Sequence, residues 1–385
     1  MIVYLDNSAT TRPRNEVIEK MKFMLEECYG NPSSLHRLGF QAEKKVEEAR
    51  KMIANYLKVR SDEIYFTSGG TESNNLAAQG IINKNKRLGN HIITTKIEHS
   101  SILNIVKYYE DKGFTITYLN VDENGFIDLE EFKEKLNDKT ILVSLMVVNN
   151  ELGTIEPINQ VREIMTRKNS KALLHLDGIQ AFGKIPLNLT KWKADTFSFS
   201  SHKVYGPKGV GGLYVKKDVL LEPIMFGGNQ EEGLRSGTEN VPGIVGMGKA
   251  VEIINNNFKS EFNSVFELKK YFIDRLIKEI PNIRVNSLID DRFSPYIVNV
   301  SFLDVRGEVL LHYLEDKGIF VSTASACSSH GKGKSHVLQS IGLNDKELEG
   351  TIRFSFSYSN TLEEIDYVVE ELKKSVEEIR KITMR

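Results

Sequence analysis

The sequence predicts an α/β fold in which a mostly parallel sheet lies between helices, together with a smaller α+β domain. Short apolar runs rich in β-branched residues alternate with helical stretches as far as residue 250. Alternation of this kind produces parallel strands that are covered on both faces by the helices connecting them. A chain of 385 residues is also too long for one ordinary core, which indicates more than one domain.

The elements of the large sheet can be placed by their periodicity and length. Buried strands are predicted at residues 64–67, 92–95, 116–119, 141–147, 173–176 and 196–200. The helices between them are predicted at residues 16–27, 41–57, 71–82 and 100–112. A Gly-Pro turn precedes residues 209–215, which are predicted to add a strand at the edge of the sheet.

The smaller domain is predicted from a change of pattern late in the chain. A long Lys/Glu-rich helical pattern begins at residue 251 and runs to residue 280, and a helix at 362–382 ends the domain. We therefore expect two domains, a large one at 16–255 and a small one formed by 1–15 and 256–385.

Composition argues against nucleic acid and membranes as partners. The chain has 51 basic and 52 acidic residues, so it carries no excess charge for a polyanion or a lipid surface. The longest apolar run, 141–148, has the length of a strand, and the N-terminus does not resemble a secretory signal. Cys28 and Cys327 show neither zinc-site nor disulfide spacing, so we expect a cytoplasmic protein with a free thiol.

Polar motifs follow several predicted strands at their carboxyl ends, where open α/β sheets bind ligands. The segment SGGTES at 68–73 opens a helix, and its free N–H groups around Gly70 and Thr71 suit a phosphate, although such turns are also common without a ligand. Asp177, followed by Gln180, ends a very apolar strand. A protonated ring nitrogen would compensate the burial of its carboxylate; the simpler alternative is a helix cap.

Two further strand ends carry groups suited to covalent and proton-transfer chemistry. The segment SFSSHKVYGPKG at 198–209 places Lys203 beside a rigid Gly-Pro turn, where a lysine near other cations can form a Schiff base. The segment TTKIEH at 94–99 ends in His99, which could stack on an aromatic ligand and shuttle protons. An isolated histidine is more often structural, and most lysines lie on the surface.

Taken together, these motifs resemble those of fold-type I pyridoxal-phosphate enzymes of the class-V aminotransferase group, and more narrowly the long-loop group of the NifS/IscS-like cysteine desulfurases. The resemblance covers essentially the whole chain. Besides the motifs above, it includes YLDNSATT at 4–11, GNPSSLH at 30–36, VNNELG at 148–153, LRSGTEN at 234–240, SAC at 325–327 and IRF at 352–354. It implies a large domain with a mostly parallel seven-stranded sheet between helices, plus a smaller α+β domain.

The resemblance implies pyridoxal 5'-phosphate as cofactor, bound covalently by Lys203. Asp177 would pair with the protonated pyridine nitrogen, Gln180 would bond the phenolic oxygen, and His99 would stack over the ring. The other cofactor-binding residues that it implies are Gly70, Thr71, Asn150, Ser200, His202 and Thr238.

The resemblance also implies the substrate, L-cysteine, and the partners. Asn150 and Arg353 would hold the substrate carboxylate, since an arginine can bind it in a bidentate manner. Thr238 would reach the phosphate of a neighbouring subunit, which implies a homodimer. The sulfur would pass to an iron–sulfur scaffold protein or to a protein of tRNA or cofactor thiolation. No resident metal is predicted. The resemblance allows one contact with iron: Cys327 would touch an iron–sulfur cluster while the sulfur is transferred.

Cys327 separates this reaction from others that use the same cofactor. It lies among small residues, with His330, Lys332 and Lys334 nearby to favour the thiolate, which is the reactive form. Cys327, Lys203 and His99 are therefore the predicted catalytic residues.

Three alternatives to this interpretation remain open, and a fourth, ATP binding, is rejected. A selenocysteine lyase or an aminotransferase on the same fold would form products different from those of a cysteine desulfurase. A catalytically silent scaffold would lack the cofactor's colour, and an ATP-binding loop at 331–335 lacks both the first glycine and a preceding strand. Ala324 and Asn229 depart from the glycines usual in the family, without removing a catalytic group.

Overall fold

The architecture is described by a computed structural model for residues 1–323 and 334–383. The strands in this part of the chain are β1 Val3–Tyr4, β2 Ile64–Thr67, β3 His91–Thr95, β4 Thr115–Leu119, β5 Thr140–Met146, β6 Leu173–Asp177, β7 Thr196–Ser200, β8 Gly211–Val215, β9 Ile283–Val285, β10 Ile297–Phe302, β11 Ile319–Phe320, β12 Ser322–Thr323 and β13 Thr351–Ser355. The α-helices are α1 Asn15–Glu26, α2 Arg37–Leu57, α3 Gly70–Asn85, α4 Ser100–Glu110, α5 Leu129–Lys135, α6 Ile158–Arg167, α7 Leu189–Trp192, α8 Val241–Glu279, α9 Gly307–Asp316, α10 His336–Ser340, α11 Asp345–Glu349 and α12 Leu362–Thr383.

The main sheet has seven strands in the order β2-β8-β7-β6-β5-β3-β4. Strands β7, β6, β5, β3 and β4 are parallel to one another, and β8 runs antiparallel to both of its neighbours. Every residue of β3, β5 and β7 is buried, as expected for strands covered by helices on both faces. The prediction of a mostly parallel seven-stranded sheet between helices is therefore confirmed.

The predicted position of β8 at the edge of this sheet is wrong. The strand follows β7 after a connection formed by residues 201–210, which contains the Gly-Pro sequence, and pairs with it, but β2 covers its other side. The edge position therefore belongs to β2. Because β2 comes from a distant part of the chain, no local pattern in the sequence points to this pairing.

A second, four-stranded antiparallel sheet has the order β12-β13-β10-β9. Its strand β13 pairs with both β10 and β12, so that Arg353 lies in the interior of this sheet. Apolar residues of β10, β13 and α12 form a separate core with the C-terminal half of α8. The N-terminal strand β1 joins this region by pairing with β11.

Helix α8 connects the two cores. It begins at Val241, earlier than the sequence predicted, because three glycines near its start, residues 243, 246 and 248, argue against a helix in isolation. The structure explains Gly248, since a Cβ there would lie 2.7 Å from the Cβ of Ala49. Ile254 belongs to the main core and Val265 to the second core. The domain boundary at residue 255 therefore falls inside a continuous helix, and it stays a prediction.

None of the helices in the described residues is both long and apolar enough to cross a membrane.

Lys269, on α8, generates a testable prediction on stability. It is only 1% exposed, its Nζ donates to the carbonyl oxygen of Ser294 at 3.0 Å, and burial lowers its pKa to about 7. An unfolded lysine has a pKa of about 10.4, so between these values the unfolded chain binds the extra proton. The contribution of Lys269 to the free energy of unfolding therefore rises with pH in this window.

We expect Lys269→Met to gain stability relative to wild type at pH 7 and to keep a clearly smaller gain at pH 9, inside the window. Urea unfolding at both pH values measures the difference. Lys270→Met is the matched control, because Lys270 is exposed on the same helix. An equal stability difference at both pH values for Lys269→Met would contradict the prediction.

Candidate active site

A cavity of about 490 Å³ lies at the carboxyl ends of the parallel strands, closed on one side by β13 and the N-terminal segment. Ten residues singled out by the sequence line it: Gly70, Thr71, His99, Asn150, Asp177, Gln180, Ser200, His202, Lys203 and Arg353. Two do not appear in its lining. Thr238 lies exposed elsewhere on the surface, and Cys327 lies outside the described residues, as does Ala324.

One end of the cavity is suited to an anion. Helix α3 begins there with Gly69 as its N-cap, a residue without a side chain to accept hydrogen bonds from the first turn. Gly70 allows close packing, since a Cβ at this position would lie 2.3 Å from Cδ1 of Ile179. The hydroxyl of Ser200 is buried at this cavity without a hydrogen-bond partner among the described residues. Unsatisfied donors beside a helix start fit a phosphate group.

Asp177 forms the floor of the cavity at the end of β6. Its carboxylate is 4% exposed and accepts two hydrogen bonds, from the backbone N–H of Ile179 at 3.0 Å and from Nδ2 of Asn74 at 2.7 Å. These two donors partly offset the cost of burying the charge. A cationic ring nitrogen in the cavity would add the missing opposite charge.

Asn74, on α3, is the centre of a buried hydrogen-bond network. Its Oδ1 accepts from the hydroxyl of Ser198 at 2.5 Å and contacts Nε2 of His175 at 3.2 Å. Burial lowers the pKa of His175 to about 3, so this ring is neutral. Since Oδ1 can only accept, His175 carries its proton on Nε2 and its Nδ1 accepts from Thr196. Every polar atom of the Asn74 side chain is therefore bonded.

The same network fixes the tautomer of His99. The second proton on Nδ2 of Asn74 is donated to the hydroxyl of Ser101 at 2.8 Å. The backbone N–H and the hydroxyl of Ser101 both lie within hydrogen-bond distance of Nδ1 of His99, at 3.2 and 2.8 Å. A backbone N–H can only donate, so Nδ1 is the acceptor and Nε2 carries the proton. Burial lowers the pKa of His99, and Lys203 adds to this effect while Asp177 opposes it.

Lys203 is held by the N-terminal segment. Its Nζ donates to the carbonyl oxygens of Ser8 at 2.5 Å and Ala9 at 2.7 Å. Burial, followed by the charge of Lys203, lowers the pKa of the neighbouring His202 to about 4. The lysine nitrogen therefore has a defined position with a neutral imidazole beside it.

Arg353 occupies the side of the cavity formed by the second sheet. Its Nη2 binds Asp6 at 2.9 Å and its Nη1 donates to the backbone oxygen of Asn150 at 3.0 Å. Its Nε is buried without a partner among the described residues. An arginine with an unsatisfied N–H at a cavity wall can bind a carboxylate.

Three residues that matter here were not singled out by sequence reasoning, namely Asn74, Asp6 and Ser8. Asn74 lies within SNN at 73–75, where nothing in the sequence distinguishes it from its half-buried neighbour Asn75. Asp6 and Ser8 lie in the motif at 4–11, so a search for polar groups near the N-terminus could have found them. Their proximity to the strand ends follows from the pairing of β1 with β11.

The arrangement supports chemistry on an amino acid attached to an aromatic cofactor. It combines a helix start suited to an anion, a buried carboxylate, a lysine amine, a neutral histidine with its proton on Nε2 and an arginine. The lysine and the histidine can move protons, while the carboxylate and the arginine fix charged groups.

Comparison with protein families agrees with this chemistry. A sequence profile described as aminotransferase class-V matches residues 3–368. The protein named cysteine desulfurase IscS from Clostridium botulinum strain Hall is 44% identical over 382 residues, which cover 99% of this chain and 96% of that protein. A protein of the same name from Dictyoglomus turgidum is 44% identical over 381 residues, again covering 99% and 96%.

Solved structures show the same relationship. One described as a NifS-like protein has a TM-score of 0.92 and 39% sequence identity, covering 98% of this chain and all of that one (100%). The NifS-like protein from Rickettsia africae has a TM-score of 0.87 and 30% identity, with the same coverage of 98% and 100%.

The Asn74 network generates a prediction on stability. Asn74→Ala would leave the buried carboxylate of Asp177 without one donor and the hydroxyl of Ser198 without its partner, and the hydroxyl of Ser101 would keep only its contact with His99. We expect a loss of about 1–3 kcal/mol in the free energy of unfolding, measured by urea denaturation. Asn75→Ala, at the half-buried neighbouring position, is the control and should lower the free energy of unfolding clearly less. Equal losses would show that the network adds no stability.

Proposed function

Because the chain belongs to the class-V aminotransferase family and, within it, to the cysteine desulfurases, we propose that it takes sulfur from L-cysteine, releasing L-alanine and leaving a persulfide on Cys327. The observation that carries this proposal is the cavity, where a lysine, a buried carboxylate, a neutral histidine and an arginine converge. Since Cys327 lies outside the described residues, its role is supported by family membership and by the motif at 325–327.

Cysteine desulfurases use pyridoxal 5'-phosphate, and the residues of the cavity fit this cofactor. The helix start at Gly70 and the unpaired hydroxyl of Ser200 suit the phosphate, with Thr71 and His202 alongside. The buried carboxylate of Asp177 suits the ring nitrogen. When bound, the cofactor withdraws electrons from the α-carbon of the substrate.

The residues around the ring divide the remaining tasks. Lys203 would hold the cofactor covalently and, once the substrate displaces it, would move the α-proton with its Nζ. Gln180 would donate to the phenolic oxygen. His99 would lie against the ring and can donate the proton on its Nε2.

Arg353 and Asn150 would hold the carboxylate of L-cysteine. The unpaired Nε of Arg353 is available to this carboxylate, while Nη2 already binds Asp6. The ion pair with Asp6 keeps the guanidinium in place before the substrate arrives. A substrate carboxylate therefore meets an arginine that needs little reorganisation.

In the sulfur transfer, the activated substrate supplies the sulfur and Cys327 receives it. The Cys327 thiolate attacks the substrate sulfur, so that a sulfur–sulfur bond forms and the carbon–sulfur bond breaks. The electrons of the broken bond stay with the substrate carbon, which takes up a proton to give alanine. The cysteine is left as a persulfide ready for a sulfur acceptor.

We also infer a homodimer. Residues 32–33 and 229–231 line one surface cavity, and several large apolar side chains in or near these segments are exposed: Tyr29, Leu35, Phe40 and Phe226. A second copy of the chain would cover them. In that assembly, the exposed Thr238 would reach the phosphate of the neighbouring site.

The acceptor of the sulfur is proposed to be an iron–sulfur scaffold protein or a protein of tRNA or cofactor thiolation. A cytoplasmic location suits a persulfide carrier, since a reducing compartment keeps thiols free. The buried Cys28 is a free thiol in the structure, which agrees with such a compartment.

Replacing the nucleophile gives the most direct test. Cys327→Ser should keep the visible absorption of the bound cofactor but form no persulfide and release no sulfide from L-cysteine. Cys28→Ser is the matched control, because Cys28 is buried in the main core and does not line the cavity, and it should retain activity. Mass spectrometry of the protein after incubation with L-cysteine measures the persulfide. Normal turnover by Cys327→Ser, or keto acid in place of alanine, would refute the proposal.

Arg353→Lys tests the binding of the substrate. A lysine cannot reproduce the bidentate contact, so we expect kcat/KM for L-cysteine to fall about ten- to a hundredfold, mainly through KM. Steady-state alanine production measures both constants. Arg306→Lys is the control, since Arg306 forms an exposed ion pair with Glu349, and it should leave both constants unchanged.

A further inference from the structure

Lys184 is a buried lysine behind the cavity that the proposed function does not use. It lies in the turns that follow β6, is 1% exposed and does not line the cavity. Its Nζ donates to Oε1 of Gln180 at 3.1 Å and lies 5.8 Å from the centre of the Tyr296 ring. No salt bridge compensates its charge within the described residues. A buried cation without a carboxylate is costly, which calls for a functional explanation.

Lys184 fixes the orientation of the Gln180 amide. Oε1 of Gln180 faces the lysine, while Nε2 donates to the carbonyl oxygen of Ser8 at 3.0 Å. A carbonyl oxygen can only accept and an ammonium group can only donate. The reversed amide would place donor against donor and acceptor against acceptor. The orientation with Nε2 beside Ser8 is therefore set by chemistry, and the second proton on Nε2 remains for a ligand in the cavity.

The same contacts join Lys184 to the lysine at the centre of the site. The carbonyl oxygen of Ser8 accepts hydrogen bonds from both Gln180 and Lys203. A continuous path of polar contacts therefore runs from Lys184 through Gln180 and Ser8 to Nζ of Lys203. Moving the amide of Gln180 would disturb both the donor facing the cavity and the carbonyl that holds Lys203.

The surroundings of Lys184 are cationic or neutral. Burial, followed by the charges of Lys203 and Arg353, lowers its pKa to about 7. His202 is neutral, since its pKa is lowered to about 4, and Tyr296 presents its ring. Because the repulsion between two cations is mutual, a charged Lys184 disfavours a proton on the nitrogen of Lys203.

We propose that Lys184 is a positioning residue for the cofactor site, which acts by holding Gln180 with Nε2 turned toward the phenolic oxygen of pyridoxal phosphate. This inference rests on the proposed function, because it requires the cofactor to lie between Gln180 and Lys203. In this role the buried lysine affects the affinity for the cofactor and the protonation of the Lys203 nitrogen.

A double-mutant cycle tests the proposal on the holoenzyme. Lys184→Met, Gln180→Ala and the double variant are compared with wild type for the dissociation constant of pyridoxal phosphate. The midpoint pH of the change in visible absorption is measured on the same samples. Lys269→Met is the matched control, because Lys269 is an equally buried lysine whose pKa is also lowered to about 7, remote from the cavity.

We expect Lys184→Met to weaken cofactor binding roughly tenfold, the effect of one lost hydrogen bond to the ligand. The midpoint pH should rise, since a nearby positive charge has been removed. In the Gln180→Ala background, Lys184→Met should weaken binding no further, because its effect passes through the amide. Lys269→Met should change neither quantity.

The outcomes separate the failure of this inference from that of the proposed function. Wild-type protein that gains no visible absorption with pyridoxal phosphate would refute the proposed function. If the wild type binds it but the effects of Lys184→Met and Gln180→Ala are additive, or Lys184→Met behaves as Lys269→Met does, the positioning role is wrong. Should Lys184→Met not fold, as judged by circular dichroism, Lys184→Gln takes its place in the same cycle with the same criteria.

Discussion

The burial of one carboxylate organises the site. Asp177 ends an interior strand of the main sheet, where water cannot solvate it, so its oxygens must be satisfied by protein donors. Asn74 supplies one of these donors and, through its remaining atoms, orders Ser101, Ser198 and His175. Through its hydrogen bonds, Asn74 thus couples the carboxylate of Asp177, at the end of β6, to the tautomer of His99, which follows β3.

The balance of charge around the cavity points to the kind of ligand that it binds. Asp6 and Asp177 face Lys203 and Arg353, with Lys184 behind them and the start of α3 at Gly70. Positive charge therefore exceeds negative charge among these groups. A ligand with two anionic groups, one near the helix and one near the arginine, would neutralise the excess. Pyridoxal phosphate carrying an amino acid has this distribution of charge.

The sequence was sufficient for the main sheet and for most of the cavity. Strands 64–67 and 196–200 were predicted with the bounds that the structure gives, because short apolar runs between turns leave little ambiguity. The motif residues that line the cavity follow strands whose carboxyl ends must meet in a parallel sheet. Features that depend on distant pairing were missed, such as the interior position of β8, the early start of α8 and the role of Asn74. Each is decided by a tertiary contact that leaves no local signature.

The continuity of α8 bears on how the cavity adapts to its contents. A helix of 39 residues extends about 58 Å, and its two halves are embedded in different cores. Swinging one core away from the other would require this rod to bend, which a hydrogen-bonded helix resists. The helix therefore restricts how far the wall that carries Asp177 can move from the wall that carries Arg353. We conclude that the stiffness of α8 limits the range of ligand lengths that fit between Asp177 and Arg353.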